Sequence, residues 1–243
     1  MKRLFLAAGY ATRLYPLTEN FPKPLLKVGS KNIMERLLDD LTATGELDQF
    51  YVVTNAKFAP IFRDWAATRP ENLDVVDDGT STNETRLGAV RDVVFAIESR
   101  GIDDDLLILA GDNLLDFSLA SFLKYAREKG ASCGMRYYEP DMTKLRKAGV
   151  AEIGDDDRIL AMTEKPQNPK SHWCTPPFYF YRREDLELVK SSVDAGCGAD
   201  APGSLLAWMA TKTPVYAYLM PGARHDIGDL ESYKKAQQLF EER

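Results

Sequence analysis

The sequence predicts an α/β fold: a Rossmann-like, doubly wound, mostly parallel sheet, with antiparallel strands added in the second half. Three observations carry this. In the first half, short apolar runs alternate with amphipathic stretches at helical spacing, the order that a parallel sheet with crossover helices requires. In the second half, two alternating runs flank Gly154-Asp155-Asp156-Asp157, a hairpin signal and therefore an antiparallel pair. No internal repeat, low-complexity tract or linker interrupts the 243 residues, so one domain over 1–243 is expected.

Taken in order, Leu4-Phe5-Leu6 is an apolar run that reads as a buried strand, and small residues follow it, Ala7, Ala8 and Gly9. Residues 25–29 form a short extended segment. Asn32 with Glu35 three positions on predicts a helix N-cap and its reciprocal partner. Ile33, Leu37 and Leu41, with Met34 and Leu38, supply that helix's apolar stripe, and Gly45 ends it. A strand at 50–54, a helix at 59–67 closed off by Pro70, and a strand at 73–76 come next. Residues 77–85 are Asp, Gly, Ser, Thr, Asn and Glu, a polar loop. Leu87, Val90, Val94 and Ile97 form the next helical stripe. Residues 106–110 are the clearest core strand, and the acidic triplet at 103–105 reads as a solvated turn before it. A helix at 119–129 stopped by Gly130, strands at 132–138, 149–153, 158–162, 178–181 and 215–219, and helices at 183–190, 202–211 and about 230–241 complete the pattern.

Composition narrows the function. Apolar content of 44% and charged content of 28% are those of an ordinary globular chain, which needs no disulfide to hold its core. A net charge of −6 argues against nucleic acid or an anionic membrane as partner, so any phosphate site must be a local basic patch. The three cysteines, Cys133, Cys174 and Cys197, have no metal-ligand spacing and predict a reduced, cytoplasmic setting. The opening Met1-Lys2-Arg3 and its short apolar run are too brief for a secretory leader, and no stretch is long and apolar enough to span a bilayer.

The chemistry concentrates in residues 4–24. Ala7, Ala8 and Gly9 let the backbone lie against an anionic ligand with its N–H groups outward. Arg13 adds a forked, permanently charged donor suited to phosphate. Lys23 sits between Pro22 and Pro24, which restrict its backbone before any anion binds. Asp112, directly after the best core strand, stands where ligands collect in open α/β sheets. On local sequence it is either a divalent-cation ligand or a cap, with Asn113, for the next element.

Thr12-Arg13-Leu14, Pro16-Leu17-Thr18 and Pro22-Lys23-Pro24 match residue for residue the signature L-A-G-G-x-G-T-R-L-x-P-L-T…P-K-P, with Ala8 and Ala11 replacing two of its glycines. The chain thus resembles the nucleotidyltransferases that make nucleotide sugars, the sugar-1-phosphate pyrophosphorylases, including the glucose-1-phosphate thymidylyl- and uridylyltransferase type. The resemblance implies a glycosyltransferase-A-like nucleotidyltransferase fold, with 1–130 mainly nucleotide-binding and 131–243 mainly sugar-phosphate-binding. It implies that Leu6, Ala8, Gly9, Thr12, Arg13, Lys23 and Arg86 bind a nucleoside triphosphate, and that Arg13, Lys23 and Asp112 are catalytic. Asp112 in Gly111-Asp112-Asn113 and Asp226 in His225-Asp226-Ile227-Gly228 would share Mg²⁺. Asn113, Gly149, Glu164, Lys165 and Tyr179 would bind the sugar 1-phosphate, with Glu164-Lys165-Pro166 matching the family's E-K-P.

Departures from the pattern bear on the substrates. Asp229 replaces a usual threonine and reads as a helix cap. The base-reading loop becomes residues 78–89, with Arg86 where a glycine is usual, and Pro176-Pro177 replaces a Thr-Gly pair near the sugar. The expected reaction is Mg²⁺-dependent transfer of a nucleotidyl group from a nucleoside triphosphate to a sugar 1-phosphate, with loss of pyrophosphate. Transfer to a non-sugar phosphomonoester such as phosphocholine, and a non-catalytic nucleotide-sugar sensor, are the alternatives. His172 and His225 are not placed as catalysts, because no Ser or Cys nucleophile accompanies them. The base, the sugar and the oligomeric state are not legible.

Overall fold

The computed structural model describes residues 1–45 and 49–240. In chain order the strands and helices begin with β1 (Lys2–Leu6), β2 (Lys27–Val28), β3 (Lys31–Asn32), α1 (Ile33–Ala43), β4 (Phe50–Thr54), α2 (Ala59–Ala66) and β5 (Leu73–Asp77). They continue with α3 (Ala89–Arg100), β6 (Leu106–Ala110), β7 (Asn113–Leu115), α4 (Ala120–Lys129), β8 (Ser132–Tyr138), α5 (Met142–Leu145), β9 (Gly149–Ile153) and β10 (Ile159–Glu164). The last are β11 (Trp173–Cys174), β12 (Phe178–Tyr181), α6 (Leu186–Ser191), α7 (Pro202–Ala210), β13 (Val215–Leu219), β14 (Arg224–Asp226) and α8 (Leu230–Phe240). The expected mixed α/β fold is present, parallel where helices alternate with strands, with antiparallel pairs added in the second half.

The chain forms two compact units. The N-terminal unit comprises Leu4–Arg86, Ala110–Ala120 and Pro221–Arg243; the central unit comprises Met1–Arg3, Leu87–Leu109 and Ser121–Met220. In the N-terminal unit β4 pairs in parallel with β5, β2 with β3 as a small hairpin, and β7 with β14 antiparallel. Asn32 caps α1 as its spacing predicts: its side chain accepts from Glu35 N at 2.8 Å, and Glu35 accepts from Asn32 N at 3.2 Å. Leu14, Leu26, Val28, Ile33, Leu114, Ile227, Ala236 and Phe240 pack into one buried cluster. Full burial of each larger side chain there contributes about 1.5–3 kcal/mol. That cluster ties the residue-14 turn, β7, the end of β14 and α8 together, so the elements that carry the site are anchored on one core.

In the central unit the strand order is β10-β9-β11-β8-β12-β6, with β13 parallel to β8. The hairpin is there, β9 against β10, with a register shift between Ile159 and Ala161. The three cysteines are free and buried, and burial pushes the Cys133 thiol up to about 12, so it is no nucleophile.

Several expectations change. In α3 the buried stripe is Val90, Val93, Ala96 and Ile97, and Leu87 precedes the helix. The acidic triplet is not merely solvated. Asp104 pairs with the Met1 amine at 2.9 Å, Asp103 holds the Arg183 guanidinium at 2.6 and 2.8 Å, and Asp105 accepts from Arg183 N at 2.8 Å. Residues 23–25 turn as a 3-10 helix before β2. The segments β7, β11 and β14 are too short to show an alternating pattern, so only pairing reveals them. The expected end of the last helix at Glu241 lies outside the described residues.

Candidate functional site

In the N-terminal unit the loop after β1 is held from behind. Ala7 N donates to Val53 O at 2.9 Å, Thr54 Oγ1 donates to Ala7 O at 3.1 Å, and Asn55 Nδ2 donates to Ala8 O at 2.9 Å. Asn55 Oδ1 in turn accepts from Phe58 N at 3.1 Å. These bonds occupy the carbonyls from the protein side. Ala11 adopts φ 47°, ψ 43°, the left-handed region that the signature's glycine would suit, and Thr18 Oγ1 holds its carbonyl at 2.8 Å. Thr12 and Arg13 follow in an exposed 3-10 turn, and Arg13 makes no hydrogen bond or ion pair with a described residue.

Gly9 differs from the other constrained glycines. Its φ lies outside the left-handed region, and a methyl there would meet no atom of a described residue beyond its two chain neighbours within 4 Å. Folding therefore leaves a side chain free to fit, and only a bound ligand would exclude one. Gly9→Val is expected to leave the melting temperature within about 2 °C of wild type. It should weaken nucleoside triphosphate binding at least about tenfold by calorimetry, since a β-branched side chain stands where the backbone would meet the ligand.

Asp112 and Lys23 meet directly. The chain leaves β6 at Gly111, whose N–H bonds Leu6 O at 3.1 Å and whose missing side chain would stand 2.8 Å from Met34 Cε. Asp112 Oδ2 then pairs with Lys23 Nζ at 2.7 Å, and the same ammonium donates to Ile227 O. Asp112 Oδ1 accepts from Asn113 Nδ2 at 2.7 Å. Asn113 is 1% exposed, and its Oδ1 accepts from Arg224. A cavity of about 180 Å³ is lined by Leu6, Ala7, Gly9, Ala11, Lys23, Pro24 and Asp112.

The β7–β14 ladder sets Asp226 opposite Asn113, next to Asp112. The Asp226 carboxylate is 52% exposed and lies 4.0 Å from Arg224 Nη1. Among the described residues no group of three or more His, Cys, Asp or Glu is gathered to hold a metal. The donors present still suit a hard cation of the magnesium type. Asp112 Oδ2 and Ile227 O already converge on one positive charge, and such an ion takes one or two protein carboxylates and fills its shell with water and substrate phosphate. Asp229 caps α8, accepting from Ser232 N at 2.8 Å.

Arg86 stands apart from this cavity. Its exposed guanidinium turns back on Asn83, donating to that residue's backbone O at 3.2 Å and Oδ1 at 3.3 Å. The preceding loop is built on Asp78 and Thr80: Asp78 Oδ1 accepts from both Thr80 N and Thr80 Oγ1 at 2.7 Å.

The central unit brings together Gly149, Glu164 and Lys165. Glu164 faces Gly149 across the β9–β10 ladder, and Lys165 turns into the left-handed region at φ 47° with its N–H bonded to Ala148 O at 3.0 Å. A non-glycine residue held there stores strain, which marks a position that the surroundings over-determine. Tyr179 is 1% exposed within β12 and presents no surface. Burial raises the Glu164 carboxyl above its ordinary value, with Lys165 opposing. The folded protein then holds that proton to higher pH than the unfolded chain. The contribution to stability is complete below the ordinary glutamate range and is lost as pH rises through the raised value. Urea unfolding at mildly acid and at neutral pH is expected to show Glu164→Gln gaining on wild type as pH rises; a constant difference would contradict this.

The model of the family described as nucleotidyl transferase matches residues 2–243. The chain belongs to the nucleotidyl transferase family. Among its relatives is the UTP–glucose-1-phosphate uridylyltransferase AglF of Haloferax volcanii, 27% identical over 245 residues that cover 100% of this chain and 97% of the relative. A glucose-1-phosphate adenylyltransferase of Fervidobacterium nodosum is 25% identical over 95% of this chain and 59% of its own. Seven relatives other than AglF, among them two bifunctional GlmU proteins, are longer, and this chain spans 50% to 64% of their length. A UDP-glucose pyrophosphorylase solved with UDP-glucose shares the fold, with a TM-score of 0.82, 19% identity and coverage of 99% of this chain and 98% of that one.

Sequence reasoning about this nucleotidyl transferase missed the residues that hold the loop. Thr18, Thr54 and Asn55 bond its carbonyls, and Arg224 holds Asn113. The available signal was a polar pair at the end of an apolar strand, Thr54-Asn55, where a buried side chain must find backbone partners.

Proposed function

We propose that this chain is a sugar-1-phosphate nucleotidyltransferase, joining a nucleoside triphosphate to a sugar 1-phosphate and releasing pyrophosphate. The observation that carries the reading is the Lys23 ammonium bridging Asp112 and Ile227 O beside the small-residue loop after β1. Support comes from the family membership and from relatives whose names are those of glucose-1-phosphate uridylyl- and adenylyltransferases.

A phosphate oxygen of the acceptor attacks the α-phosphorus. The new P–O bond forms as the bond to the pyrophosphate oxygen breaks in line, and no covalent intermediate on the protein is needed. Such transfer is chiefly positioning and charge neutralisation. Leu6, Ala8, Gly9 and Thr12 line the nucleotide's path, Arg13 receives the departing pyrophosphate, and Lys23 neutralises charge on the phosphates. Asp112 and Asp226 would hold Mg²⁺, which supplies charge neutralisation at the α-phosphate oxygens when bound. Asn113, buried against Asp112 and Arg224, acts by orienting the Asp112 carboxylate. On the acceptor side Lys165 places the attacking phosphate and Glu164 takes sugar hydroxyls, while the bare Gly149 leaves room for the Glu164 carboxylate and not for the ring itself. The nucleotide then belongs mainly to the first half of the chain and the acceptor to the second, with Asp226 the exception. The substrates fit a cytoplasmic setting, and among the described residues no helix is long and apolar enough to cross a membrane.

Pyrophosphate release decides the matter, with UTP, dTTP, CTP, ATP and GTP each paired with glucose 1-phosphate, mannose 1-phosphate and phosphocholine in the presence of Mg²⁺. Turnover with a hexose 1-phosphate is expected. Turnover with phosphocholine alone would replace the acceptor, and binding of a nucleotide sugar without any turnover would make the chain a sensor.

A further inference from the structure

Two glycines from separate elements close on one carboxylate oxygen in the central unit. A methyl on Gly149 would stand 2.9 Å from Glu164 Oε2, 2.8 Å from Thr175 Oγ1 and 2.6 Å from Met162 Cε. Gly203, in the first turn of α7, meets the same oxygen: a methyl there would overlap Glu164 Oε2 and lie 3.1 Å from Glu164 Cδ. Neither glycine has a left-handed backbone, so conformation does not call for either of them. Within a helix, glycine is also the less stable choice against alanine. What Gly203 provides is room for the carboxylate. No described residue gives that carboxylate a hydrogen bond, and Lys165 is the charge that acts on it. Its acceptor capacity is left for something outside the chain.

We propose that Gly203 is a positioning residue for the acceptor substrate: by leaving the first turn of α7 bare, it lets the Glu164 carboxylate seat against α7 and β9 in the orientation that takes an acceptor hydroxyl. This rests on the reading of Glu164 as the sugar contact. The atom facing Gly203 is the tip of a flexible side chain and not backbone, so Gly203→Ala displaces the carboxylate and leaves the helix in place.

The test is steady-state kinetics of wild type, Gly203→Ala, Glu164→Asp, Glu164→Ala and the Gly203→Ala/Glu164→Asp double variant. Nucleotide and the preferred hexose 1-phosphate of the panel are varied in turn. Gly203→Ala is expected to raise the acceptor KM about tenfold, the loss of one charge-assisted hydrogen bond, with the nucleotide KM within about twofold. Glu164→Asp should raise it as well. The double variant should recover most of the loss, because aspartate is one methylene shorter and vacates the space that the new methyl takes. A merely structural glycine would show no such rescue.

An unchanged acceptor KM in Gly203→Ala, or losses that simply add in the double variant, would overturn the proposal while leaving Glu164 in its place. An unchanged acceptor KM in Glu164→Ala would remove the Glu164 reading and this proposal together. Should Gly203→Ala fail to fold by circular dichroism, the double variant compared with Glu164→Asp decides. An acceptor KM equal or lower supports the seat, and a higher one refutes it.

Discussion

Lys23→Ala is expected to lower turnover by about two to three orders of magnitude, the range for removing one preorganised donor from a charged transition state. The fold should survive. Lys23 Nζ bonds Asp112 Oδ2 at 2.7 Å and Ile227 O, and both Lys23 and Asp112 line the 180 Å³ cavity. Asp112 is a third exposed and keeps its bond from Asn113 at 2.7 Å, so water can replace the lost ammonium. The stability change is then that of a partly exposed pair, up to about 1 kcal/mol. Stopped-flow or coupled pyrophosphate release, alongside a thermal melt, measures both. Near-normal turnover would show that the ammonium does not face the reacting phosphates. A collapse of the melt would show that Lys23 is a structural residue whose chemistry was misread. Asp112→Asn serves as the companion variant, because it keeps the shape and removes the charge. It should lose turnover to a similar degree, and the loss should persist at saturating nucleotide.

Gly88→Ala is expected to cost about 3 kcal/mol of stability, combining a conformation almost confined to glycine with weakened hydrogen bonds. Gly88 caps α3 at φ 93°, ψ 150°. A methyl there would stand 2.6 Å from Ala199 O and 3.0 Å from Asp200 Cα, which are backbone atoms with no side-chain freedom to yield. The same stretch caps the helix: Ala89 N donates to Asp200 O at 3.2 Å and Val90 N to Ala199 O at 2.9 Å. Pushing residues 199 and 200 away therefore loosens both bonds as well. For a chain of this size the loss corresponds to a fall in melting temperature of roughly 6–12 °C. Gly101→Asn is the control, since Gly101 ends the same helix at φ 58° with nothing within 4 Å of its missing side chain. Asparagine tolerates that region, and little change is expected. Equal effects at the two positions would refute the steric argument.

The signature residues were legible because each carries its chemistry locally. Lys23 is held by its own flanking prolines, and Asp112 follows directly on an apolar strand. The Asn32–Glu35 cap and the β9–β10 hairpin are equally local, since their partners lie within one turn. The burial of Asn113, at 1% exposure, was not legible, because it depends on Arg224 from more than a hundred residues away. Arg86 looked like a base contact from its place in the motif, yet its guanidinium folds back on Asn83 within its own loop. Tyr179 was named by resemblance, and local pattern cannot say which strands flank it; β12 lies between β6 and β8, and the ring is enclosed.

By itself the sequence determined the order of the longer strands and helices, the small-residue opening loop with its Arg and Lys, and the acidic residue at the end of the best core strand, since propensity, capping and short motifs act over a few residues. Tertiary structure alone decided that Asp226 stands opposite Asn113, that Asn55 and Thr18 hold the loop, and that Gly203 makes room for Glu164. Each of these depends on which distant backbones are brought within hydrogen-bonding or van der Waals reach, a range over which one chain's local pattern carries no information.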